Sequence, residues 1–91
     1  GLTLPDVGRR MAAVDGVVSV HDLHIWSLSS RRAALSAHVV VRDLESWPQI
    51  LAETTELLHS AFDIDHSTLQ PELFRPALYA IREPESPRAN P

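Results

Sequence analysis

Five histidines, His21, His24, His38, His59 and His66, are the residues of this 91-residue chain best suited to chemistry, and no cysteine accompanies them. Any metal site must therefore use imidazole nitrogen and carboxylate oxygen, and disulfides, thiolate catalysis and cysteine-type zinc sites are excluded. His21 and His38 lie in two stretches of β-branched character, Val17 to Leu28 and Ala34 to Arg42, separated by the polar break Ser29 to Arg32. This pattern predicts a hairpin. A register compatible with that turn sets Leu23 opposite His38 and His21 opposite Val40. His21 and His38 are then diagonal neighbours on one face, with Cβ atoms about 7 Å apart and within reach of one ion. Zinc takes nitrogen and oxygen ligands at about 2.0 to 2.2 Å, so further ligands are sought among Glu72, His66 and Asp65 at the two ends of a third strand. A hydrogen-bonded structural role stays open for the same histidines.

The other candidates have simpler explanations. Strand alternation places His24 and Trp26 on the face opposite His21, which suits a surface or interface role. His59 falls near the end of a helix, where a cationic imidazole is favoured by the macrodipole. Asp63 and Asp65 bound a polar turn and read as solvated carboxylates. Ser27, Ser29 and Ser30 lack a nucleophile-elbow sequence, and no His-Glu-x-x-His helix is present, so an enzyme is not expected. Three scattered glycines form no phosphate-binding loop.

The elements that must position these residues follow from periodicity. Leu4, Val7, Met11 and Val14 form a helical stripe, with Thr3 as cap, Pro5 in the first turn and Gly16 as the stop; the helix is expected over Pro5 to Val14. After the hairpin, Ser46 and Gln49 have the form of a capping box. The helix they start carries Trp47, Ile50, Leu51, Leu57, Leu58 and Ala61 on its apolar side, broken by Thr54. Ile64 to Gln70 suits a short third strand closed by Pro71. Helix, strand, strand, helix, strand implies a two-layer α+β sandwich with both helices on one sheet face. The other face is left to solvent, a second copy or another domain.

Composition bounds the partners. An apolar fraction of 44% with 22% charged residues is that of a folding globular chain, and 91 residues suffice for one domain. Twelve acidic against eight basic residues give a net charge of -4, which argues against a nucleic-acid partner. Apolar runs such as Val39 to Val41 fall far short of the roughly 20 residues a membrane helix needs. Residues 1–83 are expected to form the domain, with 84–91, rich in proline, as a disordered tail.

The stretch Val20-His21-Asp22-Leu23-His24-Ile25-Trp26, followed by Ser36-Ala37-His38-Val39 and by His66-Ser67-Thr68-Leu69-Gln70-Pro71-Glu72, closely resembles the C-terminal cytosolic domain of cation diffusion facilitator transporters. The likeness spans most of residues 4 to 72 and looks closest to the zinc, cobalt and cadmium efflux members. It implies a metallochaperone-like (ferredoxin-like) α-β-β-α-β fold with a three-stranded sheet. It further implies a homodimer on the cytosolic side of the bacterial inner membrane, attached in the whole transporter to its own transmembrane domain. Metal bound to this domain would regulate metal/proton antiport, a reaction the membrane part performs.

The resemblance also implies ligands. His21, His38 and Glu72 fall on positions that family members use for divalent metal, zinc foremost and cadmium, cobalt or nickel as alternatives. His66 is a further candidate, with Asp65 as the alternative because the ligand near the start of this strand shifts by a residue among family members. Gln70 stands where some members carry a ligating histidine, which puts one of the family's sites in doubt. Two other functions stay open: a structural dimerisation module whose histidines bind no metal, and a small-molecule regulatory domain.

Overall fold

Thr3 starts the first helix as expected, its hydroxyl accepting from the Asp6 backbone N–H at 3.2 Å. The computed structural model describes residues 3–75; the expected domain end at 83 and the tail at 84–91 lie outside them. Helix α1 spans Leu4–Ala12 and buries Val7 and Met11, whereas Leu4 of the expected stripe stands 48% exposed. The helix ends two residues before Val14, which turns back instead through a Val17 N–H to Val14 carbonyl bond of 3.1 Å. Gly16 serves that turn rather than the helix end. Its φ is +95°, a backbone conformation that favours glycine, and a Cβ there would lie 2.8 Å from Ile50 Cδ1, so the end of that side chain would have to shift.

Strands β1 (Val17–Ser29) and β2 (Arg32–Val41) form the antiparallel hairpin. Helix α2 (Trp47–Phe62) then crosses over to β3 (His66–Leu73), which lies parallel to β2. The sheet order β1-β2-β3 puts β2 in the centre, with a helical crossover of the kind parallel strands demand. Strand β3 starts later than Ile64 and runs through Pro71 to Leu73. Proline is tolerated there because β3 is an edge strand.

Ser46 does not form the expected capping box. Its backbone is already helical at φ -81° and ψ -7°, and its side chain makes no cap bond, since a capping hydroxyl needs an extended backbone. Instead the Ser46 N–H donates to Asp43 Oδ1 at 2.9 Å, and the Gln49 amide donates forward to Glu53 at 3.0 Å. The buried row of α2 is Ile50, Thr54 and Leu58, so it passes through Thr54, and Leu51 and Ala61 face outward. Asp63 closes the helix in the left-handed region at φ 58°, a conformation Asp adopts more readily than most residues.

Leu35, Ala37, Val39 and Val41 of β2 meet Val7, Met11, Ile50, Leu58 and Ile64 in one core. Both helices thus cover one face of the sheet. The opposite face carries Ser36 and His38 of β2, and no helix among the described residues lies over it.

The hairpin register departs from expectation in a way that matters for the site. It agrees at the turn, where Ser29 faces Arg32, but irregularities at Ser27/Ser29 and His21/His24 each slip β1 by one residue. His21 therefore sits directly opposite His38 rather than diagonal to it, and His24 faces Ser36. The second irregularity is a bulge in which Asp22 and Leu23 together oppose Ala37, and Asp22 takes a positive φ of 52°. An extra residue reverses the inside-outside alternation beyond it. His24 and Trp26 consequently share the open face with His21, contrary to the simple alternation.

Two tests follow from this packing. Thr54 is 1% exposed, and its hydroxyl has no hydrogen-bond partner among the described residues. Thr54→Val should stabilise the chain by about 1 kcal/mol in urea denaturation, because a similar volume is kept while an unsatisfied polar group is removed; a loss of stability would mean the hydroxyl is satisfied. At the α2–β3 junction, His59 Nδ1 lies 2.6 Å from Asp65 Oδ1, and this hydrogen bond is the main cause that raises the His59 pKa above 6.5. The pair's contribution is then complete below the unfolded value of about 6.5 and is lost as pH rises through the higher folded value. Between pH 6 and pH 9 the metal-free wild type should lose more stability than His59→Gln, and equal losses would show that the pair contributes nothing.

Candidate metal centre

Each strand of the sheet delivers one group to a cluster on the open face. His21 is the last β1 residue before the bulge, and His38 lies directly across from it on the central strand. Gln70 of β3 pairs with His38, and Glu72 pairs with Val40, so Glu72 sits one alternation further along the same face. This places Glu72 between the two rings. His21 Nε2 is 2.7 Å from Glu72 Oε1, and His38 Nδ1 is hydrogen-bonded to Glu72 Oε2. The imidazole centroids are 5.1 Å apart with planes inclined at 57°.

One ligand atom from each of the three groups lies within 4.8 Å of the others. Ligands of a tetrahedral ion at about 2.1 Å stand roughly 3.4 Å from one another, so small side-chain rotations suffice for all three to share a cation. Two neutral imidazoles and one carboxylate are the donor set that zinc and its neighbours among divalent metals accept. The side chains of His38 and Glu72 are 33% and 34% exposed, which leaves them reachable from solvent yet fixed by the sheet.

An ionised carboxylate only accepts, so in the metal-free arrangement both ring nitrogens facing Glu72 carry protons. The His21 pKa is raised above its ordinary value, chiefly by the hydrogen bond to Glu72. Glu72 is held below the usual glutamate value by its bonds to His21 first and His38 second. A cation entering this cluster replaces protons on the imidazoles.

The remaining expected groups lie elsewhere. His66 shares the open face but pairs with Ala34 at the start of β3, and its Nε2 accepts from the Arg32 guanidinium. Six residues of strand separate it from Glu72, about 20 Å. The structure therefore does not bring His66 to the cluster, and Asp65 is engaged with His59. Gln70 lines a shallow cavity of about 250 Å³ beside the cluster, together with Asp22, His24, Ser36 and Thr68.

Asp22 escaped the sequence reasoning. Its Oδ2 lies 3.4 Å from His21 Nδ1 and 3.9 Å from His38 Nδ1. The apolar residues packed against the core step by three from Val20 to Leu23 and by two from Leu23 to Ile25. That break in period was the available signal of a bulge and of an extra polar residue beside His21.

Comparison with known proteins sets this geometry in context. Residues 2–74 match the family model described as the cytoplasmic domain of cation efflux proteins. The metal cation efflux system protein CzcD of Cupriavidus metallidurans is 44% identical over 72 residues, covering 77% of this chain and 22% of that protein. A probable proton-coupled zinc antiporter of Bos taurus, SLC30A3, is 36% identical over 84 residues, covering 91% of this chain and 22% of its own length. The chain thus spans about a fifth of these relatives. Among solved structures, the metal-bound C-terminal domain of CzcD superposes with a TM-score of 0.71 at 42% identity, covering 79% of this chain and all of that one. A MamM CTD, at 14% identity and a TM-score of 0.68 over 77% of this chain and 92% of its own, shares the fold. The fold is the ferredoxin-like α+β sandwich of these domains, and the chain belongs to the cation efflux family as its cytoplasmic domain.

Proposed function

We propose that this domain binds a divalent cation, zinc foremost, through His21, His38 and Glu72, and that binding regulates metal efflux by the transporter to which it belongs. The observation that carries this is the convergence of three donor groups, one from each strand, on the sheet face that the helices leave open. The 42% identical CzcD domain, described as metal-bound, adds support. Cadmium, cobalt and nickel accept the same ligand types. Three protein ligands leave a tetrahedral ion one open position, which water or a group from a second copy fills.

The regulatory step is a population shift. Zinc binds the homodimer more tightly when the two copies are closed together, and that difference in affinity moves the equilibrium toward closure. Carrying a dimer from mostly open to mostly closed takes about 5.5 kcal/mol of differential binding, so a weaker difference only tunes activity. In the whole protein, on the cytosolic side of a bacterial inner membrane, closure biases the attached membrane domain.

A second reading has one observation in its favour. Glu72 already satisfies a nitrogen of each histidine without any ion, as a purely structural dimerisation module would require.

Zinc calorimetry separates the two. The wild type should bind, His21→Ala, His38→Ala and Glu72→Ala should each lose most of the heat, and His66→Ala should leave it unchanged. Negligible heat from the wild type, or identical heat from all variants, would favour the structural module. Apparent zinc affinity should also rise with pH across the raised His21 pKa, since the protonated ring must release its proton to bind. A flat profile between pH 6 and pH 8 would contradict a site containing His21.

A further inference from the structure

Asp22 occupies a position that glycine would hold at no conformational cost. Its φ of 52° lies in the left-handed region, in the middle of a β-bulge on an otherwise extended strand. Asp tolerates this region better than most residues but still at some expense. A side chain kept at such a point calls for a use.

The geometry around it supplies one. The two ring nitrogens of His21 face two different carboxylates: Nε2 meets Glu72 at 2.7 Å, and Nδ1 meets Asp22 Oδ2 at 3.4 Å. His38 is turned the other way, with Nδ1 on Glu72 and Asp22 Oδ2 3.9 Å from that same nitrogen. Asp22 is therefore placed for the free side of His21, and a small rotation of its side chain closes the contact to a hydrogen bond. The bulge makes this possible. On a regular strand the residue after His21 would point into the core, where a carboxylate has no partner; the inserted residue sends Leu23 inward instead and holds Asp22 at the open face.

We propose that Asp22 is a positioning residue for the metal site: its carboxylate accepts the Nδ1–H of His21 and so holds the Nε2 lone pair toward the cation shared with His38 and Glu72. This rests on the metal-binding role proposed above. A ligating histidine whose other N–H is held by a carboxylate has its tautomer and ring orientation set and is a more basic ligand. When the ion enters, the Nε2 proton departs to solvent while the Nδ1 proton stays on the Asp22 side. One bulge thereby does two things: it makes the second of the two slips that bring His21 opposite His38, and it supplies the group that orients it.

The test compares the 91-residue wild type with Asp22→Gly and Asp22→Asn. Both replacements accept the left-handed backbone, so the bulge survives. Zinc calorimetry should show Asp22→Gly weakened by about 10- to 100-fold, with Asp22→Asn partly rescued because its amide oxygen also accepts. In zinc-loaded wild type, proton NMR should show the His21 Nδ1–H protected from solvent exchange, and Asp22→Gly should lose that resonance. Unchanged zinc affinity in Asp22→Gly, or an unprotected Nδ1–H in the zinc-loaded wild type, would overturn the role of Asp22 while leaving the metal site intact. A wild type that binds no zinc would instead overturn the site itself, and the positioning role with it.

Discussion

The direct pairing of His21 with His38 across the hairpin is the contact on which the rest of the site depends. Two imidazoles on adjacent strands reach one carboxylate only if they lie on the same side of the sheet. In a sheet with one buried face, a single-residue slip would send His21 into the core. The core prevents that slip. Val20 before the bulge and Leu23 within it pack against the apolar cluster of β2 and the helices, so the placement of His21 is enforced by burial of its neighbours rather than by its own contacts.

The architecture also explains why the chemistry lies where it does. Helices α1 and α2 pack on the same face and consume the apolar side of all three strands. What remains is a face lined with His21, Asp22, His24, Ser36, His38, Thr68, Gln70 and Glu72, with Trp26 48% exposed beyond them. Because β2 is central, a residue on it can meet partners from both edges, and His38 holds that place. The parallel pairing of β3 then brings Glu72 level with the gap between the rings. Three potential donor groups far apart in sequence converge on the strands alone, without any loop having to fold around them.

Much of this was legible from residue types. The order of elements, the Thr3 cap and the covering of one sheet face by both helices follow from periodicity and turn chemistry. His21, His38 and Glu72 were also singled out, although through a register that the structure corrects. What was missed was the bulge, because strict strand alternation was assumed despite the three-residue step from Val20 to Leu23, and that assumption sent His24 and Trp26 to the wrong face. The capping box at Ser46 failed for a comparable reason. A short motif specifies which side chains are available, whereas the backbone angle at Ser46 decides whether the hydroxyl can turn back. His66 was drawn toward the site by its type and motif, but its distance along β3 and its bond to Arg32 keep it apart.

The proposed function requires one cation to be shared by three strands on the open face of the sheet. An anomalous-difference map from crystals grown with zinc addresses it most directly. A single strong peak within about 2.0 to 2.2 Å of His21 Nε2, a nitrogen of His38 and a carboxylate oxygen of Glu72 is the predicted result. A map with no peak there, or with zinc held only by groups elsewhere on the surface while Glu72 keeps its hydrogen bonds to both rings, would contradict it.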